Sequence, residues 1–201
     1  MVVGKGFFNW FWVAGFVSAI FMAPAAFAQQ ASSASSAESI TFRGVDYEHR
    51  WSKAGQNEFT PRGQEDLSSW RDMITLNLYE GIADGESLAG MANVVLGRYQ
   101  LAGKIIYADS RPATPDSPAE HLIVALLGDP AYMEAVFARF MLIDGAGVAI
   151  FYCRREYGAS ASVAQAIGQW LQDDGQKVEN ALMALDEFPT PAALKALPQS
   201  D

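Results

Sequence analysis

Cys153 is the only thiol in a chain of 201 residues, and His49 and His121 are its only imidazoles. A cysteine nucleophile needs a positioned base. No Cys or His signature of a known enzyme family surrounds any of the three. The bland reading of Cys153 is a small buried hydrophobe on a core-facing strand; in an oxidising compartment it could instead pair between chains. His49 stands beside Glu48 and Asp46, and His121 beside Glu120. Adjacent residues in a strand point to opposite faces, so such neighbours cannot reach one ion together. HExxH, EF-hand spacing, CxxC, P-loop, GxGxxG and GxSxG are all absent. No metal site and no cofactor is implied.

Arginine among aromatic residues is the more informative pattern. His49-Arg50-Trp51, Trp70-Arg71-Asp72, Arg139 and Tyr152-Cys153-Arg154-Arg155-Glu156-Tyr157 put cations into strands of an acidic protein. Arg flanked by Tyr and Trp builds carboxylate sites and interface hot spots. It equally builds cross-strand ion pairs whose stems pack on rings.

The elements that would position these groups follow from periodicity. Residues 40–51 alternate imperfectly and read as a strand bulged at Gly44. Residues 56–64, with Asn57, Pro61 and Gly63, read as an extended loop, and 70–79 as a half-buried strand. Leu88, Met91, Val95 and Tyr99 recur at helical spacing over 81–103, with Asp84 as N-cap and Gly103 at C′. A short strand at 104–107, a proline loop and a strand at 121–127 come next. Residues 131–143 fit a helix opened by Asp129-Pro130, but also a Phe- and Val-rich strand leading into a Gly-containing turn. Strand–turn–strand over 132–157 fits better. A final helix from Ser160 or Ser162 carries Val163, Ile167, Trp170, Leu171, Val178, Leu182 and Leu185 on one stripe, with Trp170 and Leu171 near its centre.

Pairing parity turns the 132–157 hairpin into a site expectation. A turn centred on Gly145-Ala146 sets Arg139 opposite Tyr152 and Phe137 opposite Arg154. Val136, Ala138, Phe140, Leu142, Ala149, Phe151 and Cys153 then share a core face under the helices. Phe137, Arg139, Met141, Ile150, Tyr152 and Arg154 share the other face. Two arginines without partners would be costly in a core. Phe137, Arg139, Tyr152 and Arg154 are therefore expected on a partly exposed binding surface.

The order β-β-α-β-β-β-β-α gives α+β packing: a single antiparallel sheet with two main helices. It resembles the PsbP-like fold, a curved antiparallel sheet with helices packed on it. The resemblance rests on element order over most of residues 40–188, carries no residue role, and implies no function by itself.

The ends speak to location. Lys5, the apolar run from Phe7 to Met22, Pro24 and Ala26-Phe27-Ala28 form a signal-peptide pattern with cleavage after Ala28. Residues 29–37 read as a flexible leader, 38–188 as the single domain and 189–201 as a Pro-containing tail. A net charge of −9 argues against nucleic acid as a partner, since phosphate contacts need a basic face. Contact with a membrane is expected only through the signal segment. Together these observations lead to an exported, periplasmic, non-enzymatic binding or accessory domain of a bacterial envelope, with an envelope protein or a small ligand as partner. The rival reading is an envelope hydrolase using Cys153 or a His/Asp pair.

Overall fold

Tight turns with two consecutive positive φ angles organise the first half of the chain. In the computed structural model, which describes residues 38–200 apart from Asp116 and Ala159, Arg43-Gly44 (φ 51° and 77°) joins β1 (Ser39–Phe42) to β2 (Val45–Lys53). Ala54-Gly55 (φ 51° and 85°) joins β2 to β3 (Gln56–Pro61). Such turns match the right-handed twist of the strands they connect. The expected single strand over 40–51 is thus two strands, and the bulge lies between His49 and Trp51. The expected loop at 56–64 is mostly β3. It escapes a pattern reading because polar Asn57 and Thr60 are buried in it beside Phe59: Asn57 donates through Nδ2 to Gly55 O (3.2 Å) and Leu76 O (3.1 Å). β4 (Asp72–Tyr79) completes the first half.

α1 (Gly85–Ala102) starts where Asp84 caps it, with Ser87 Oγ returning a hydrogen bond to the cap. It ends at Gly103, whose φ of −178° is extended rather than left-handed. That glycine is needed for space, because a Cβ would run into Leu126 O of the next strand. β5 (Gly103–Arg111), β6 (Glu120–Gly128), β7 (Tyr132–Ile143) and β8 (Ala146–Tyr157) follow. α2 (Ser160–Met183) and the short α3 (Pro191–Lys195) end the fold.

All eight strands form one antiparallel sheet in the order β1-β2-β3-β4-β8-β7-β6-β5, so the fold is α+β. The helices do not share a face. α1 covers Met73, Ile123, Val136, Ala138, Phe140, Ala149, Phe151 and Cys153. α2 covers the opposite face, where Phe137, Met141, Val148, Ile150 and Tyr152 meet Ile167, Val178 and Leu182. Trp170 and Leu171 sit midway along that helix, half-buried, with the Trp170 ring packed against Phe137 (6.2 Å) and Tyr152 (6.4 Å). The tail is a further correction. Leu194 and Leu197 are buried in the same core as α2, and Ser200 N donates to Ser52 O at 2.7 Å.

The β7–β8 hairpin turns on Asp144-Gly145 (φ 51° and 76°) and pairs Phe137 with Tyr152 and Arg139 with Ile150. The register is thus two residues off the one centred on Gly145-Ala146. A two-residue slip preserves side-chain faces. The two expected sets therefore stay separate, but both are core.

Candidate functional site

The four residues expected on a binding surface come together on the α2 face of β7 and β8, beneath the helix instead of in solvent. Phe137, Arg139 and Tyr152 are buried and Arg154 is partly so. Arg139 carries its own solution to the cost of burial. Its Nη1 donates to Leu182 O (3.0 Å) and Leu185 O (2.8 Å), and Nη2 to Glu120 Oε1 (2.7 Å). A cation at the carbonyl end of a helix is favoured by both its open acceptors and its dipole. Tyr152 donates to Asp72 Oδ1 (2.8 Å). Arg154 reaches Asp72 (3.3 Å) and Glu156 (2.8 Å) and lies over the Trp170 ring at 5.3 Å. Arg155, on the α1 face, is held between Trp70 (3.9 Å) and Tyr132 (4.1 Å) and pairs with Glu134 at 2.6 Å. Arg139, Arg154 and Arg155 thus hold strands and helices together, each paired with a carboxylate, while Nε of Arg139 and of Arg154 is buried without a hydrogen-bond partner among the described residues.

The nucleophile candidates fare no better. Burial pushes the Cys153 thiol well above its ordinary pKa, and the adjacent Glu134 carboxylate pushes it further. A thiol kept neutral is not a nucleophile. Asn57 spends both amide hydrogens on backbone carbonyls, so its Oδ1 accepts from Ser52 Oγ (2.7 Å). Ser52 must then accept from His49 Nε2 (2.7 Å), which directs the hydroxyl hydrogen away from the ring. Ser52 is also fully buried, so this pair is no catalytic dyad. His121 bonds Ser110 Oγ through Nδ1 at 2.8 Å. Burial lowers the pKa of both histidines, and neither holds a carboxylate. Among the described residues no group of three His, Cys, Asp or Glu side chains could hold a metal ion.

The open site lies beside α2. That helix packs on β7 and β8 and leaves the sheet edge at β5 and β6 uncovered, giving a half-open groove of about 430 Å³. Val124, Phe137 and Leu171 form its floor; Gln172, Gln176 and Glu179 line the α2 rim. Ile106 and Tyr107 form the opposite rim, and both stay more than two-fifths exposed. They are consecutive, yet both reach one groove, because the β5–β6 register shifts between Ile105 and Tyr107. A bulge of this kind re-aims side chains. Gly175 completes the wall: a Cβ there would lie 3.7 Å from Leu171 and 3.9 Å from Phe137. Sequence reasoning missed this groove. Its signal is the unbroken apolar run Ile105-Ile106-Tyr107 in β5, which a strictly alternating strand cannot place on one buried face.

The described residues therefore form an α+β domain with arginines paired in its core and an apolar groove at the sheet edge. No family model matches it, and no curated protein does. Among solved structures it is similar to the 1.9 Å crystal structure of the Saccharomyces cerevisiae Ran-binding protein Mog1p, at 14% identity over 68% of this chain and 78% of that one, with a TM-score of 0.42. These comparisons lend no support to the expected bacterial-envelope role, whether as accessory domain or as hydrolase. Ran binding is a property of Mog1p and is not carried over to this chain.

Proposed function

We propose that the protein is a binding domain whose ligand enters the groove between β5 and α2. The observation that carries this reading is the β5 bulge, which directs Ile106 and Tyr107 toward an apolar floor and leaves both half in water. Exposed apolar rims around a concave floor are the usual form of a ligand site. Gln172, Gln176 and Glu179 recur at helical spacing along the other rim and offer hydrogen-bond acceptors. The ligand class that fits is an apolar group carrying a hydrogen-bond donor, such as an apolar segment of a partner protein or a neutral amphiphile.

Nile red, a neutral apolar dye, tests the site. It should bind the native protein with a blue-shifted emission and should lose at least tenfold in affinity in Gly175→Leu, which fills the groove. Replacing Ile106 and Tyr107 by Ser should have the same effect without touching the floor. Dye binding that is absent, or unchanged in both variants, overturns the reading.

A further inference from the structure

The outward face of α1 carries a second surface, independent of the groove. Leu88 and Ala92 turn this helix toward the sheet. On the far side, Gly90, Val94, Gly97 and Leu101 recur at spacings of four, three and four, which places them on one stripe. Val94 is 56% exposed and Leu101 is 91% exposed. A Cβ added at Gly90 or at Gly97 would meet nothing within 4 Å, so each glycine is a notch open to solvent. Glycine weakens a helix interior, and the single chain makes no use of either notch.

The stripe is complementary to itself. When two copies of α1 cross antiparallel about a twofold axis between Val95 and Leu96, facing residue numbers add to 191. Leu101 of each copy then faces the Gly90 notch of the other, and Val94 faces Gly97. The same alignment brings Glu86, in the first turn, beside Lys104, just past the last turn of the other copy. Both charges lie exposed without an ion-pair partner among the described residues. A parallel pairing would set Leu101 on Leu101, Glu86 beside Glu86 and Arg98 beside Arg98. A twofold contact uses one patch twice, which is what an alternation of knob and notch with charges at opposite ends supplies. We infer that α1 is the contact surface of a homodimer in which Leu101 and Val94 of one copy seat on Gly90 and Gly97 of the other. One helix pair is a small interface, so the dimer belongs to the weak, concentration-dependent class.

Sedimentation of the full chain at rising concentration should show a monomer–dimer equilibrium. Gly90→Leu and Gly97→Leu fill the notches with side chains that the isolated helix accommodates. Each should weaken dimerisation at least tenfold while leaving the melting temperature unchanged or higher. A chain carrying both Gly90→Cys and Leu101→Cys tests the orientation. The two positions are about 16 Å apart along one helix, so they cannot form a disulfide within it, and Cys153 is buried. Oxidation should yield a covalent dimer. A native chain monomeric to roughly 1 mM, the weak end of the affinity scale, would overturn the inference. So would dimerisation indifferent to both leucine variants, or dimerisation without the cross-link.

Discussion

Tyr47, Tyr152 and Cys153 are weak acids that the fold has taken out of water. Burial raises the pKa of all three; nearby Asp72 adds to the effect on both tyrosines, and Glu134 to that on the thiol. Tyr99, on the sheet-facing side of α1, is raised by burial in the same way. An acid whose folded pKa lies above its unfolded one keeps its proton in the native state while the unfolded chain gives its proton up. Its contribution to stability is full below the unfolded pKa and falls as pH rises past it. Those unfolded values are about 8.5 for Cys and about 10 for Tyr. Each buried group should then remove about 1.4 kcal/mol per pH unit. The histidines have the opposite limit. Burial lowers the pKa of His49 and His121, so the unfolded chain takes up protons first as pH falls through about 6.5. Urea midpoints should therefore plateau between about pH 6.5 and 8.5 and drop steeply above pH 10. A midpoint unchanged to pH 11 would mean that these tyrosines ionise in place.

At the scale of elements, α2 and the β7–β8 hairpin depend on Arg139. Its guanidinium holds the last carbonyls of α2 to the sheet and neutralises Glu120. Replacing Arg139 by Ala strands a carboxylate and two helix-end acceptors in a low-dielectric setting. Removing one partner of a buried pair costs about 3–5 kcal/mol. Arg154→Ala should cost clearly less, since that side chain is 22% exposed and water can take its place. Urea unfolding of the two variants side by side checks the ranking, and equal losses would refute it. The same residue shows what a sequence can and cannot reveal here. The α2 stripe, the α1 cap at Asp84, strand character at 132–157 and the two side-chain sets all follow from local periodicity and turn chemistry. The partners of Arg139 lie 19 residues before it and 43 to 46 after it, and no local pattern announces them. Periodicity alone therefore places the charge on the surface, and the binding face with it. β3 was hidden for a related reason. Ser52, Asn57 and Thr60 are buried polar residues that satisfy one another or the backbone, and they erase the apolar alternation a strand reading requires.

The whole molecule is a sheet covered on both faces, and the second cover is finished only by the last residues of the chain. Thr190 caps α3 through a bond from Ala193 N (3.3 Å), and Pro191 occupies its first turn. Leu194 and Leu197 enter the α2 core, Lys195 pairs with Glu80, and Ser200 N closes on Ser52 O. Three prolines make this stretch read as a tail, because proline cannot continue a helix, but proline is well suited to begin one. A chain ending at Phe188 uncovers part of the core that residues 191–197 seal. Burying a leucine side chain contributes about 1.5–3 kcal/mol, so losing two should cost about 3–6 kcal/mol of the roughly 5–15 kcal/mol typical of a domain. The expected cleavage after Ala28 lies outside the described residues, and a chain beginning at Gln29 keeps every described element. It should unfold at the same urea midpoint as the full chain, whereas the chain ending at Phe188 should unfold well below it. A shortened chain as stable as the full one would mean that α3 rests on the surface and that the core closes at Leu185.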